Sequence, residues 1–159
     1  MRRPPRCCGA HTRDPMTTRT LDLVLANRPQ EISRFVDRLE AFGTAAGLAP
    51  DVAFRLMLAL DEVVSNVIRH GYQEGTEHEI HVRVDVGATD VVAVVEDEGR
   101  AFDPRDAPLP DLDASLDARR VGGLGMHLVR STMDSIEYRR DGSRNVLRLV
   151  TSVTPRPES

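Results

Sequence analysis

The chain has 159 residues, a formal charge of −4, and 40% hydrophobic and 29% charged residues. That is the composition of one ordinary globular domain with short tails. A mildly acidic balance offers no basic field to nucleic acid or to an anionic membrane. Val91 to Val95 is among the longest aliphatic runs, far below the length that spans a bilayer. All 21 basic residues are arginine. A Walker A loop, the strand lysine of ordinary protein kinases, Schiff-base chemistry and Ser-x-x-Lys acylation are therefore excluded as normally built.

Residues 1–17 read as a polar, Pro-rich tail expected to be disordered. Cys7 and Cys8 are adjacent within it, a spacing that makes neither a disulfide framework nor a metal site. Arg2-Arg3 is followed by no apolar stretch, so no twin-arginine signal is read and a cytoplasmic protein is expected. Met16 is an alternative start that would set residues 1–15 aside. Leu21 to Ala26 reads as an opening strand. Asn27, Pro29 and Glu31 then look like a helix start, and Ile32, Phe35, Val36, Leu39 and Phe42 follow at helical spacing, ending near Gly43 or Gly47. A second helix starts at Pro50-Asp51, buries Ala53, Leu56, Met57, Leu60, Val63, Val64 and Val67, and stops at Gly71. The period then changes to two: Ile80, Val82, Val84 and Val86 alternate with polar residues, and a turn leads into the more buried strand Val91–Val95. Residues 103–121, with five aspartates and three prolines, read as a long functional lid. A short helix follows through Val129 and Met133. Ser135–Arg140 and Arg144–Val153 then pair across Asp141-Gly142, a strong hairpin signal. The order β-α-α-β-β-lid-α-β-β predicts an α+β chain, a two-layer sandwich of mixed or antiparallel sheet with helices on one face. The folded domain is expected over residues 18–153, with residues 154–159 as a C-terminal tail.

Three constellations carry candidate chemistry. Glu62, Asn66 and His70 recur every four residues along the second helix, flanked by Asp61 and Arg69. A carboxylate one turn from a carboxamide suits a hard cation or a proton acceptor. Alone, that spacing is better read as a solvated helix face. Asp97-Glu98-Gly99 follows the apolar strand, where a carboxylate can accept from a base amine and a glycine lets the backbone approach; alone, it also reads as an acidic turn. Gly122-Gly123-Leu124-Gly125-Met126 meets a helix N-terminus, where backbone N–H groups can hold phosphate; alone, it also reads as a hinge. His78-Glu79-Ile80-His81 falls short of His-Glu-x-x-His spacing, and His127 reads as a surface residue.

In this order and spacing, together with Arg-x-Phe-Asp-Pro at Arg100–Pro104, the three constellations resemble the GHKL ATPase superfamily. Within it they are most similar to the small anti-sigma-factor serine/threonine kinases, over about Thr18 to Val153. The resemblance implies the Bergerat-type ATP-binding fold, with ATP and Mg²⁺ as cofactors. It implies Glu62 as general base, Asn66 as the Mg²⁺ contact, Asp97 as acceptor for the adenine amino group and Gly99 as room for the base. Gly123, Leu124, Gly125 and Met126 would bind phosphates, and Arg69, with Arg119 or Arg120 from the lid, would add positive charge. Where relatives commonly carry a Thr on the last strand, this chain reads Ser143-Arg144-Asn145-Val146, and Asn145 is the polar substitute.

The implied activity is phosphorylation of an anti-anti-sigma (STAS-type) protein by an anti-sigma factor. The implied partners are that protein, a sigma factor or other response regulator, and a second copy of the chain. The alternative is an ATP-gated regulator-binding module without turnover. The ATPase half of a sensor histidine kinase ranks below both, since the N-terminal segment is too short for a histidine-bearing helix pair.

Overall fold

Period-two alternation puts every second side chain of a strand on the same face, and among the described residues five strands turn that face onto three helices. The computed structural model describes residues 19–106 and 123–156. In chain order the elements are β1 (Arg19–Ala26), α1 (Gln30–Ala46), α2 (Pro50–His70), β2 (Glu79–Val86) and β3 (Asp90–Asp97). A 3-10 turn (Pro104–Asp106), α3 (Gly123–Thr132), β4 (Ser135–Asp141) and β5 (Arg144–Ser152) follow. The strands order as β1-β2-β3-β5-β4, and every pairing is antiparallel. The mixed-sheet alternative therefore drops out, and the α+β two-layer architecture stands.

Register explains the core. Leu25 opposes Ile80, Val82 opposes Val95, Val84 opposes Ala93, and Val95 and Ala93 in turn oppose Leu147 and Leu149. These residues are buried together with Phe35 and Leu39 of α1 and Val52, Leu56, Leu60 and Val64 of α2. Burying this apolar surface is the main source of stability, at about 25 cal/mol per Å². The opposite sheet face carries ion pairs instead, Arg83 with Asp22 and Asp85, and Arg148 with Glu137. No helix among the described residues is long and apolar enough to cross a membrane.

Three local differences from the sequence reading matter. Asn27 does not cap α1; Pro29 stands at the N-cap and supplies no side-chain bond. Asn27 instead donates to the Thr76 carbonyl and accepts from the His78 N–H, both at 2.9 Å, pinning the end of β1 to the start of β2. β3 continues past Val95 to Asp97, because β5 offers backbone partners as far as Asn145. The glycines Gly123 and Gly125 lie inside the first turn of α3 and do not precede it. The lid segment from residue 107 to 122, with Arg119, Arg120 and Gly122, and the tails at 1–18 and 157–159, lie outside the described residues.

Candidate functional site

The continued alternation of β3 puts Asp97 on the same face as Val91, Ala93 and Val95, so a carboxylate arrives at the end of an apolar strand. It is only 7% exposed. A carboxylate that deep must be hydrogen-bonded. Its Oδ1 accepts from the Gly99 N–H at 2.7 Å and from Asn145 Nδ2 at 2.9 Å. Among the described residues, no hydrogen bond reaches Oδ2.

Asp97 stands in the wall of a cavity of about 340 Å³. Val63 and Val67 of α2, Val95 of β3, Met126 of α3 and Leu147 of β5 make its apolar walls, while Asn66, His70, Asp97 and Asn145 add polar groups. Mostly apolar walls with a few fixed polar groups are the make-up of a small-molecule site. Ala101, Phe102 and Pro104 also line it, and Phe102 is half exposed.

The loop after β3 is tied down on the loop after α2. The Arg100 N–H donates to the Gly71 carbonyl at 2.7 Å, and the Glu98 N–H donates to the Tyr72 hydroxyl at 3.1 Å. The Tyr72 ring stacks on His78 with centroids 4.4 Å apart. Burial pushes the Tyr72 hydroxyl above its ordinary range, with the charges of Asp97 and Glu98 adding and the Glu98 N–H acting the other way. Gly99 fits only without a side chain: a Cβ there would stand 2.7 Å from the Gly71 carbonyl oxygen and 2.8 Å from Asp97 Oδ1. Asp103 turns to its neighbour, where the Arg105 guanidinium 2.6 Å away holds its carboxyl below the usual range.

Glu62 and Asn66 sit half-buried on the side of α2 that meets α3, whereas Arg69 and His70 are exposed at the helix end. α3 runs antiparallel to α2: Arg55 reaches the Thr132 carbonyl at one end, and Glu62 lies against Gly125 at the other. A methyl group at Gly125 would overlap the Glu62 carboxylate. The carboxylate thus lies at the first turn of α3, where backbone N–H groups lack intrahelical partners and the helix dipole is positive. Met126 turns into the cavity and is 1% exposed, and His127 faces outward. The fold therefore brings Asn66, His70, Asp97, Met126 and Asn145 to one cavity and sets Glu62 beside it at the α3 start.

Tyr138 and Arg140 belong to this neighbourhood but were not among the sequence candidates. Both contact Asn145 Oδ1, at 2.8 and 2.6 Å. The available signal was the Asp141-Gly142 hairpin: its register sets Arg140 opposite Asn145 and Tyr138 opposite Leu147.

The family described as "Histidine kinase-like ATPase domain" matches residues 25–151. The serine/threonine-protein kinase BtrW of Bordetella bronchiseptica is 33% identical over 102 residues, 64% of this chain and 72% of that protein. The serine-protein kinase RsbW of Listeria monocytogenes is 26% identical over 131 residues, covering 80% and 83% of the two chains. Its namesake in Bacillus subtilis is 26% identical over 121 residues, covering 73% and 75%. Among solved structures, the RsbU and RsbW domains of Rv1364c from Mycobacterium tuberculosis share the fold with a TM-score of 0.58 at 14% identity. The match covers 86% of this chain and 36% of that longer one.

Proposed function

The chain belongs to the histidine kinase-like ATPase family, and from that premise we propose that it is an ATP-dependent serine/threonine protein kinase. In this reading it is an anti-sigma factor that phosphorylates an anti-anti-sigma (STAS-type) partner. The observation that carries the reading is Asp97, a buried carboxylate in the wall of a mostly apolar cavity, whose hydrogen bonds among the described residues all fall on one oxygen. Such a cavity suits a purine base, whose faces need apolar walls and whose amino group needs an acceptor. The similarity to proteins named serine kinases supports the choice of acceptor.

Residue by residue, Asp97 accepts from the adenine amino group, and Gly99, lacking a side chain, keeps the loop packed behind it. Asn66 offers a carboxamide oxygen of the kind that Mg²⁺ takes, the remaining ligands being phosphate oxygens and water. Bound Mg·ATP supplies the γ-phosphoryl group and neutralises its charge. Gly123, Leu124, Gly125 and Met126 offer the backbone N–H groups of a helix start to phosphate, and Arg69 stands at the near end of α2 to add charge. Glu62 accepts the proton of the partner's serine hydroxyl. Phosphoryl transfer asks mainly for positioning and charge stabilisation, and no lysine is required for either.

The test is calorimetric binding of ATP and ADP, with and without Mg²⁺, to the wild type and to Asp97→Asn. Saturable binding that falls at least about tenfold in Asp97→Asn is expected, the loss of one charge-assisted hydrogen bond. No binding by folded wild type would refute the nucleotide site. Labelled ATP with an anti-anti-sigma protein then tests transfer: Glu62→Ala should abolish phosphoserine formation and leave ATP affinity within a few-fold. Intact ATP binding with no phosphoserine from wild type would favour the ATP-gated regulator-binding module instead.

A further inference from the structure

We propose that Asn145 is a specificity-determining residue that makes the site select a 6-amino purine. It does so by locking Asp97 with one oxygen consumed and the other presented to the ligand. This rests on the reading of the cavity as a purine-nucleotide site.

The two ends of an asparagine amide are opposite in hydrogen-bonding sense, and here the surroundings settle which end faces which way. Arg140 Nη1 lies 2.6 Å from Asn145 Oδ1. A guanidinium only donates, so the amide oxygen must face it. The Tyr138 hydroxyl adds a second donor at 2.8 Å. The amide nitrogen is thereby turned inward, where three acceptors meet it: Asp97 Oδ1 at 2.9 Å, the Arg100 carbonyl at 3.0 Å and the Gly99 carbonyl at 3.3 Å. Reversing the amide would set its NH₂ against the guanidinium and its oxygen against a carboxylate. Asn145 is 5% exposed, so little solvent is at hand to offset either contact.

The consequence falls on Asp97. Asn145 and the Gly99 N–H both donate to Oδ1, which fixes the plane of the carboxylate and leaves Oδ2 for a ligand. A carboxylate oxygen accepts and does not donate, so the ligand atom opposite it must carry a hydrogen. The amino group of adenine does. The 6-oxo group of guanine or hypoxanthine would set a lone pair against the anion, and a site built for one hydrogen-bonding sense rejects its opposite strongly. Arg140 also donates to the Gly99 carbonyl at 3.0 Å, so one cation holds both the amide and the loop that frames the carboxylate. The sheet register makes this possible: Asp97, Asn145 and Arg140 are direct neighbours across β3, β5 and β4.

The experiment measures the affinities of ATP and ITP, whose bases differ at C6 by amino against oxo, for wild type, Asn145→Asp, Asn145→Leu and Arg140→Met. Wild type should prefer ATP by about tenfold or more. Asn145→Asp sets two carboxyls together, which cannot both ionise cheaply and so share a proton. The shared proton lies between the two carboxyls, so Oδ2 loses charge and fixed orientation as an acceptor, and the ATP:ITP ratio should fall at least about threefold. Asn145→Leu should weaken ATP by a similar factor and narrow the ratio. Arg140→Met, at an exposed residue that leaves the buried pair in place, should narrow it about threefold, with an unchanged melting temperature reporting an intact fold. Equal loss of both nucleotides would assign Asn145 a merely structural role and overturn the proposal. An unmoved ratio in folded Asn145→Asp and Arg140→Met would overturn it too. Wild type that binds neither nucleotide would instead refute the site reading on which it rests.

Discussion

Gly99→Ala puts a methyl group into a close backbone approach beside the site. The new carbon would stand 2.7 Å from the Gly71 carbonyl oxygen, 3.0 Å from its carbon and 2.8 Å from Asp97 Oδ1. None of these atoms can give way cheaply. Gly71 is backbone at the C-terminal end of α2, bonded through its N–H to Val67, and Asp97 Oδ1 is clamped by Asn145. The φ of Gly99 is not positive, so the penalty is overlap and not strained backbone. Relief requires the loop to lift, which stretches the 2.7 Å bond from Arg100 N–H to the Gly71 carbonyl and the 2.7 Å bond from Gly99 N–H to Asp97. Overpacking costs about 1–3 kcal/mol, and a weakened buried hydrogen bond about 0.5–1.5 kcal/mol more. The expected loss is about 2–4 kcal/mol, or roughly 5–15 °C in melting temperature for a chain of this size. Thermal and urea unfolding check it, with an unchanged m-value confirming that the same surface unfolds. Nucleotide affinity should fall at least about tenfold, because the lifted loop releases Asp97. A melting temperature within about 2 °C of wild type would refute the claim that the loop is packed on the end of α2.

Gly125→Ala has the opposite outcome although its overlap is also severe, because the displaced group is the free end of the Glu62 side chain. Stability should be unchanged or up to about 1 kcal/mol higher from helix propensity, while phosphoserine formation is lost; full transfer activity would refute the placement of Glu62. Asn27→Ala should cost about 1 kcal/mol by releasing Thr76 and His78, measured by urea unfolding, with ATP affinity unmoved. Asp134 accepts from the Ser152 N–H at 2.7 Å and from Arg156 at 2.6 Å, which hold its carboxyl below the usual range. Its contribution to stability is therefore full above the unfolded value of about 3.9 and is lost as pH falls through the lower folded value. With its side chain 43% exposed, screening limits that contribution to about 1 kcal/mol or less. Asp134→Asn should thus melt lower at pH 7, by at most about 2–4 °C, and converge with wild type near pH 2.

What could be read from the chain alone is what depends on neighbours in sequence. Phe35 and Leu39, or Leu56, Leu60 and Val64, lie one helical turn apart, so their shared face is settled before any tertiary contact exists. The alternation from Ile80 to Val86 fixes a strand in the same way, and Asp141-Gly142 fixes a hairpin because Gly142 takes a φ of 59° without strain. The order of the acidic, glycine-rich and helical motifs placed the chain in its family, since the residues of each motif lie within a few positions of one another. Tertiary structure decided the rest. β5 enters the sheet between β3 and β4, so Asp97 and Asn145 become neighbours across 48 positions of sequence, a pairing no local period specifies. The same insertion lengthened β3 past Val95 and turned Asp97 inward, onto the core face. Asn27 read as part of a helix start from its local sequence, and a pair of partners 49 and 51 residues away take its side chain instead. Glu62 and Gly125 meet for a similar reason: the antiparallel packing of α3 on α2 chooses which glycine must lack a side chain. A local motif names groups that can bind or react, whereas the register of distant strands and helices decides which atom of each group is left free to do so.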